Sequence, residues 1–190
     1  MDSAKYPARE RILRTAYELF SHRGIRDVSV DEIVGSSGVA IATFYRHFPS
    51  KDALVTAFLE RREEVWTTDQ VVASAKAHSA DPIEQLLAVF DIFDRWFNHP
   101  EFEGDSFVNV LIEMGPAHPL GQASIQHLEN VRRSIQGMAE EAELENAEEF
   151  AHSFHILMKG SIITADMGDK KSAVRAKAMA RRLIEAHAPT

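Results

Sequence analysis

A chain of 190 residues, 45% of them hydrophobic, can bury a substantial core and fits a small domain joined to a larger one. It has no cysteine, which excludes a disulfide framework and any thiolate metal site. The net charge of −8 is unevenly spread: residues 1–60 carry eight basic and eight acidic side chains, the remainder thirteen and twenty-one. Non-specific attraction of nucleic acid to the whole surface is thereby disfavoured, while a local contact near the N-terminus is allowed.

In chain order, apolar residues recur at intervals of three and four, the helical period. Ile12, Leu13, Ala16, Leu19 and Phe20 form a first stripe, stopped by Gly24. Ser29-Val30-Asp31-Glu32 has the form of a capping box and opens a short helix with Ile33 and Val34. Gly38 breaks it, in a left-handed turn that a Cβ would penalise, and a second short helix runs from about Ala40 to His47. Pro49-Ser50-Lys51-Asp52 reads as a stop followed by a new N-cap, and the helix beyond carries Leu54, Phe58 and Trp66.

Asp81-Pro82-Ile83-Glu84 combines an N-cap, a Pro at the first helical position and an early acid. Its stripe is Ile83, Leu86, Leu87, Phe90, Phe93 and Phe97, ended by Asn98-His99-Pro100. A shorter helix, Asp105 to Met114, closes at Gly115-Pro116. From about Leu120 to Ala142 a long helix is expected to bury Ile125, Leu128, Ile135 and Met138. Asn146-Ala147-Glu148-Glu149 caps the next, to about Met167, and an alanine-rich helix spans roughly Ser172 to His187. No alternating strand pattern or internal repeat interrupts this. The expected fold is all-α with about nine helices: a three-helix head over 1–50 and a larger helical domain over 51–190.

Three short helices with a Gly-centred turn between the second and third are the grammar of a helix-turn-helix. Packing of Ile33, Val34, Val39 and Phe44 against the first stripe would free the outer face of the third helix: Ala40, Ile41, Thr43, Arg46 and His47, with Tyr45 at its edge.

Over Arg9–Phe58 the chain resembles the DNA-binding domain of the TetR family. The resemblance is carried by Ala16-Tyr17-Glu18-Leu19-Phe20, Arg23-Gly24, Ser29-Val30-Asp31-Glu32-Ile33 and Gly38-Val39. It continues through Thr43-Phe44-Tyr45-Arg46-His47-Phe48-Pro49-Ser50-Lys51-Asp52-Ala53-Leu54. A weaker likeness, the Asn-x-x-x-Glu and His-Pro of Phe107 to Pro119, is shared with some branches. The resemblance implies a DNA-binding transcription regulator, a homodimer on double-stranded operator DNA, whose larger domain senses a small molecule. It places Thr43, Tyr45 and His47 at positions that contact the DNA backbone, Lys51 at a phosphate contact, and Ile41 and Ala42 at positions that touch bases. Arg46 could reach phosphate or a guanine edge. Apolar Ile41 and Ala42 can only meet thymine methyls or exclude wrong bases, and Ala40 stands where relatives place a capping Ser, so the sequence preference is not legible.

For the larger domain, the expected ligand-pocket walls are Trp66, Phe90, Phe93, Trp96, Phe97, Phe107, Met114, Phe154 and Met158. Asp105, Asn109 and Glu113 repeat at four and share one helix face; turned inward, Asn109 and Glu113 would favour a polar or cationic inducer. Each of these residues also reads as ordinary core or solvated face. The dimer is expected through the last two helices, where Gly160, Ser161 and Ala165, and Ala173, Ala176 and Ala180 with Val174 and Leu183, permit close approach.

Glu148, His152 and His155 share a helix face with spacing that can hold a metal, and His118 or His127 could join them only through tertiary contacts. A solvated face explains them as well, and neither metal nor cofactor is assigned. An enzyme is the remote alternative: there is no nucleophile elbow, phosphate loop or HExxH, only Asp91 and Asp94 as an imaginable acid–base pair. The nearer alternative keeps the DNA-binding fold without a small-molecule inducer, under a protein partner or constitutive. The polar start, Met1 to Arg9, has no secretory core, and no apolar run approaches the ~18 residues of a membrane span, so a cytoplasmic location without membrane contact is expected.

Overall fold

The computed structural model describes residues 6–189; Met1–Lys5 of the polar start lie outside the described residues. Among the described residues there is no strand. The described residues form ten α-helices: α1 (Ala8–Arg23), α2 (Val30–Ser37), α3 (Ile41–His47), α4 (Lys51–Arg62), α5 (Ser74–His78), α6 (Pro82–Phe97), α7 (Ser106–Met114), α8 (Pro119–Glu141), α9 (Ala147–Asp166) and α10 (Ser172–Ala186). A π-helical stretch, Glu63–Ala73, follows α4 in the chain and leads into α5, so the described residues hold nine separate helical segments, as expected.

Two compact units share the chain. The first reaches to Arg62 and takes in Ser106–Gln126; the second holds Glu63–Asp105 and the chain from His127 on. The first therefore extends beyond residues 1–50, adding α4, α7 and the start of α8.

In the first unit α1 buries Ile12, Leu13, Ala16 and Phe20 and ends at Gly24, whose φ of 79° and ψ of 176° only glycine adopts easily. Ser29 Oγ accepts from the N–H of Glu32 at 3.1 Å, half of the expected capping box. The other half is replaced, because the Glu32 carboxylate accepts from Arg23. Gly38 ends α2 in the left-handed region, at φ 63° and ψ 38°. Ile33 and Phe44 are sealed, and α4 contributes Leu54 and Phe58, the latter edge-on to Tyr17 and Phe20.

In the second unit α6 is the central helix, packed against α5, α9 and α10. Asp81 accepts from the N–H of Ile83 at 2.9 Å and Pro82 stands in the first turn, as its sequence foretold. Along α8 the buried positions are 120, 121, 124, 127, 131, 132, 135, 138 and 139. Polar Ser124 and His127 occupy two of them, so the buried stripe is out of register with the apolar pattern of the sequence. Ile125, expected in the core, is exposed and Leu128 half-buried.

Candidate nucleic-acid interface

Helix α3 is short and holds its place through two rings. Phe44 and Phe48 are buried, 6.2 Å apart, and the hydrogen bond from the Phe48 N–H to the Phe44 carbonyl closes the helix. That anchoring fixes the opposite face. Ile41, Ala42, Tyr45 and Arg46 are exposed there, flanked by half-buried Thr43 and His47. Ala40 gives α3 no side-chain cap, as its methyl requires. The arrangement offers a phenol, a guanidinium, an imidazole and a hydroxyl beside two apolar side chains, over less than two helical turns. One cation at this edge went unnoticed in the sequence: Arg9, whose guanidinium lies 5.2 Å from the centre of the Phe48 ring.

Lys51 opens α4, and Ser50 caps it by accepting from the N–H of Ala53 at 3.1 Å. The Lys51 ammonium donates to the carbonyl of Ile25. Burial lowers its pKa, against the opposing pull of Glu113, Asp52 and Asp27. One of its three N–H donors is thus engaged within the first unit.

The expected pocket walls fall into two sets. Trp66 and Trp96 stack with centroids 4.4 Å apart, Phe93 lies 5.8 Å from Trp96, and Phe90 lies 5.1 Å from Phe154. Phe90, Phe93, Phe97, Phe154 and Met158 are buried in the second unit's core, and Trp66 and Trp96 are half-buried against it. Phe107, Asn109, Glu113 and Met114 belong to the first unit. The face of Asp105, Asn109 and Glu113 does not act as one, because α7 starts only at Ser106. Asp105 is buried and pairs with Lys159 at 2.7 Å, Asn109 is exposed, and Glu113 accepts from the N–H groups of Ile25 and Arg26.

The small residues of the last two helices pack within the chain. Ala165, Ala173, Ala176 and Ala180 are buried, with α10 lying against both α9 and α6. What these helices leave exposed is a set of apolar side chains: Ile156 and Ile163 on α9, Met167 just past its end, and Val174 and Met179 on α10. Ile156 and Met179 border a groove of about 310 Å³ lined by Leu157, Gly160, Thr164 and Ala176 among others.

Among the described residues no three His, Asp or Glu side chains come together as a metal site. Glu148 and His152 are exposed, whereas His155 is mostly buried, and burial with the nearby Lys159 cation pushes its pKa down to about 4. Asp91 is ion-paired to Lys177 at 2.6 Å, which leaves the imagined acid–base pair with Asp94 without support. Among the described residues no helix is long and apolar enough to cross a membrane.

A family model described as "Bacterial regulatory proteins, tetR family" matches residues 12–58. The HTH-type transcriptional regulator UidR of Escherichia coli K12 is 38% identical over 113 residues, 53% of this chain and 58% of its own length. The chain thus spans little more than half the length of this curated relative. A TetR-family transcriptional regulator from Streptomyces coelicolor is 25% identical with a TM-score of 0.87 over 96% of both chains. The reduced form of E. coli NemR shares the fold at 20% identity and TM-score 0.82, covering 94% of this chain and 97% of its own. So does a transcriptional regulator from Saccharomonospora viridis in complex with choline, at 23% identity and TM-score 0.74, covering 94% and 95%.

Proposed function

Because the chain belongs to the tetR family of bacterial regulatory proteins, we propose that it is a cytoplasmic, homodimeric transcription repressor that grips operator DNA through α3 and leaves it when a small molecule binds. The observation that carries the DNA contact is the division of α3, with Phe44 and Phe48 buried while Ile41, Ala42, Tyr45 and Arg46 face outward. On this reading Thr43, Tyr45, Arg46 and His47 bind phosphates, and Lys51 adds its remaining donors at the start of α4. Ile41 and Ala42 meet base edges as apolar contacts. The test is selection of duplexes from a randomised pool by the wild-type chain, followed by binding of the winners to Arg46→Ala and Tyr45→Ala. A wild-type chain that enriches no duplex would contradict it.

The exposed apolar side chains of Ile156, Ile163, Met167, Val174 and Met179, two of which border one groove, support the dimer, since association would take them out of water. Two copies joined there would carry two α3 helices, and the operator would be a rough palindrome with half-sites ~34 Å or a multiple apart.

For the ligand, we place an aromatic or apolar inducer within the second unit, among Trp66, Phe90, Phe93, Trp96, Phe97, Phe154 and Met158. The choline held by the S. viridis relative supports a small-molecule partner by analogy. Binding should change the fluorescence of Trp66 and Trp96, the chain's two tryptophans, and lower operator affinity by the factor with which DNA lowers ligand affinity. The second reading, a regulator with no small-molecule inducer, is favoured by the mutual packing of Phe90, Phe93, Phe97 and Phe154. A broad ligand screen without any effect on operator affinity would decide for it.

A further inference from the structure

The turn between α1 and α2 is gripped at one residue from two sides. Ile25 donates its N–H to Glu113 Oε2 at 2.8 Å, and Arg26 donates its own to Oε1, so both oxygens of one carboxylate meet consecutive amides. The carbonyl of the same Ile25 accepts from Lys51 Nζ. Gly24 makes this approach possible: a Cβ there would stand 2.9 Å from Glu113 Oε2. Consecutive backbone N–H groups curled in this way form a nest that favours an anion. Here the chain's own α7 fills it.

The turn cannot shift alone. The Ile25 and Val28 side chains are sealed in the core, and Arg23 ties the far side by donating to the Asp27 carbonyl and to Glu32. Ser29 follows at once as the cap of α2, and α2 packs against both α1 and α3. The place of α3 against α1 therefore depends on where this turn is held.

We propose that Glu113 is a positioning residue for DNA binding: without touching DNA, its carboxylate holds the α1–α2 turn and so sets where α3 presents Tyr45 and Arg46. The inference rests on the reading of α3 as the DNA-contacting helix. It assigns a determinant of operator affinity to α7, outside the helix-turn-helix.

The sign of the effect separates positioning from charge. Removing a negative charge from a protein that binds a polyanion strengthens binding by electrostatics alone. Glu113→Gln should nonetheless weaken it, about tenfold, the scale of one charge-assisted hydrogen bond lost. The slope of log affinity against log salt should stay at the wild-type value, because no phosphate contact is removed. Amide hydrogen exchange at Ile25 and Arg26 should speed up in the full chain without DNA. The probe is a duplex selected by the wild-type chain from a randomised pool, at a temperature where both proteins are fully folded. Arg46→Ala in the same assay should flatten the slope. Unaltered exchange at both amides, unchanged or tighter binding, or a flattened slope in Glu113→Gln would each overturn the proposal. Should that variant fail to fold, Glu113→Asp, which keeps the charge but withdraws it by a methylene, is read in the same way. A wild-type chain that selects no duplex overturns the DNA-binding reading itself and this inference with it; a binding wild type with an indifferent variant overturns only the inference.

Discussion

The N–H of Ile25 donates to Glu113 Oε2 at 2.8 Å, joining residues 88 positions apart in the chain. Gly24 beside them has a φ and ψ that any other residue adopts only at a cost of about 1–3 kcal/mol. Gly24→Ala adds to that strain a methyl pressed on the carboxylate. It should destabilise the first unit by at least about 2 kcal/mol in denaturant unfolding. A change within about 0.5 kcal/mol would mean that the turn is not held as described.

Gly121 is under a harder constraint. A Cβ there would lie 1.9 Å from the Gly115 carbonyl oxygen, a backbone atom with no side chain to swing aside. Gly121→Ala must open the turn between α7 and α8, with a loss on the order of 3 kcal/mol. Because that turn follows Glu113 directly, operator affinity should fall as well. A variant as stable as wild type would refute the close approach.

His155 makes folding sensitive to acid. Its Nε2 is buried with no hydrogen-bond partner, and burial first, then Lys159, holds its pKa at about 4; Asp105 and Glu129 pull the other way, and Arg132 adds to the lowering. Unfolded, the same imidazole protonates near the ordinary 6.5. Its contribution is therefore complete above the unfolded value and is lost as pH falls from about 6.5 to about 4, by roughly 2–3 kcal/mol. Stability against pH for wild type and His155→Phe should diverge across this window, the variant losing less. Parallel curves would contradict the assignment.

Association should depend on the exposed apolar side chains of α9 and α10 rather than on the small residues. Ile156→Asp or Met179→Asp places a charge at a solvent-facing position, so the fold should survive while the dimer dissociates in sedimentation. Ala180, fully buried in the core, cannot give so clean a test. A wild-type chain that sediments as a monomer at micromolar concentration would sink the dimer.

Much of the fold was legible because its signals are local. Caps at Ser29, Ser50 and Asp81, stops at Gly24 and Gly38, and the apolar stripe of α6 act within a few residues, and each appears where its chemistry demands. What was not legible depends on pairs distant in the chain. Nothing near Glu113 announces that its partners are the amides of Ile25 and Arg26, so its spacing with Asp105 and Asn109 suggested a shared face instead. The alanines of α10 read as a surface for a second copy, but their small size is used to bring α10 close to α6 and α9. On α8, Ser124 and His127 hide the register because buried polar positions carry no hydropathy signal. The outward face of α3 was legible only in part: buried Phe44 leaves Ile41 and Arg46 exposed as expected, but Ala42 and Tyr45 also face outward while Thr43 and His47 are half-buried, because Phe48 as well as Phe44 turns inward.

The central claim, that α3 and its flanks grip duplex DNA, is tested most directly by salt titration of a selected duplex. Wild-type affinity should fall linearly with log salt, as release of counterions from several phosphates requires. Arg46→Ala should bind more weakly with a slope smaller by about 1, if its guanidinium meets a phosphate, and Tyr45→Ala should lose affinity on all sequences alike. Both variants binding the duplex as tightly as wild type, with the same salt slope, would contradict the account.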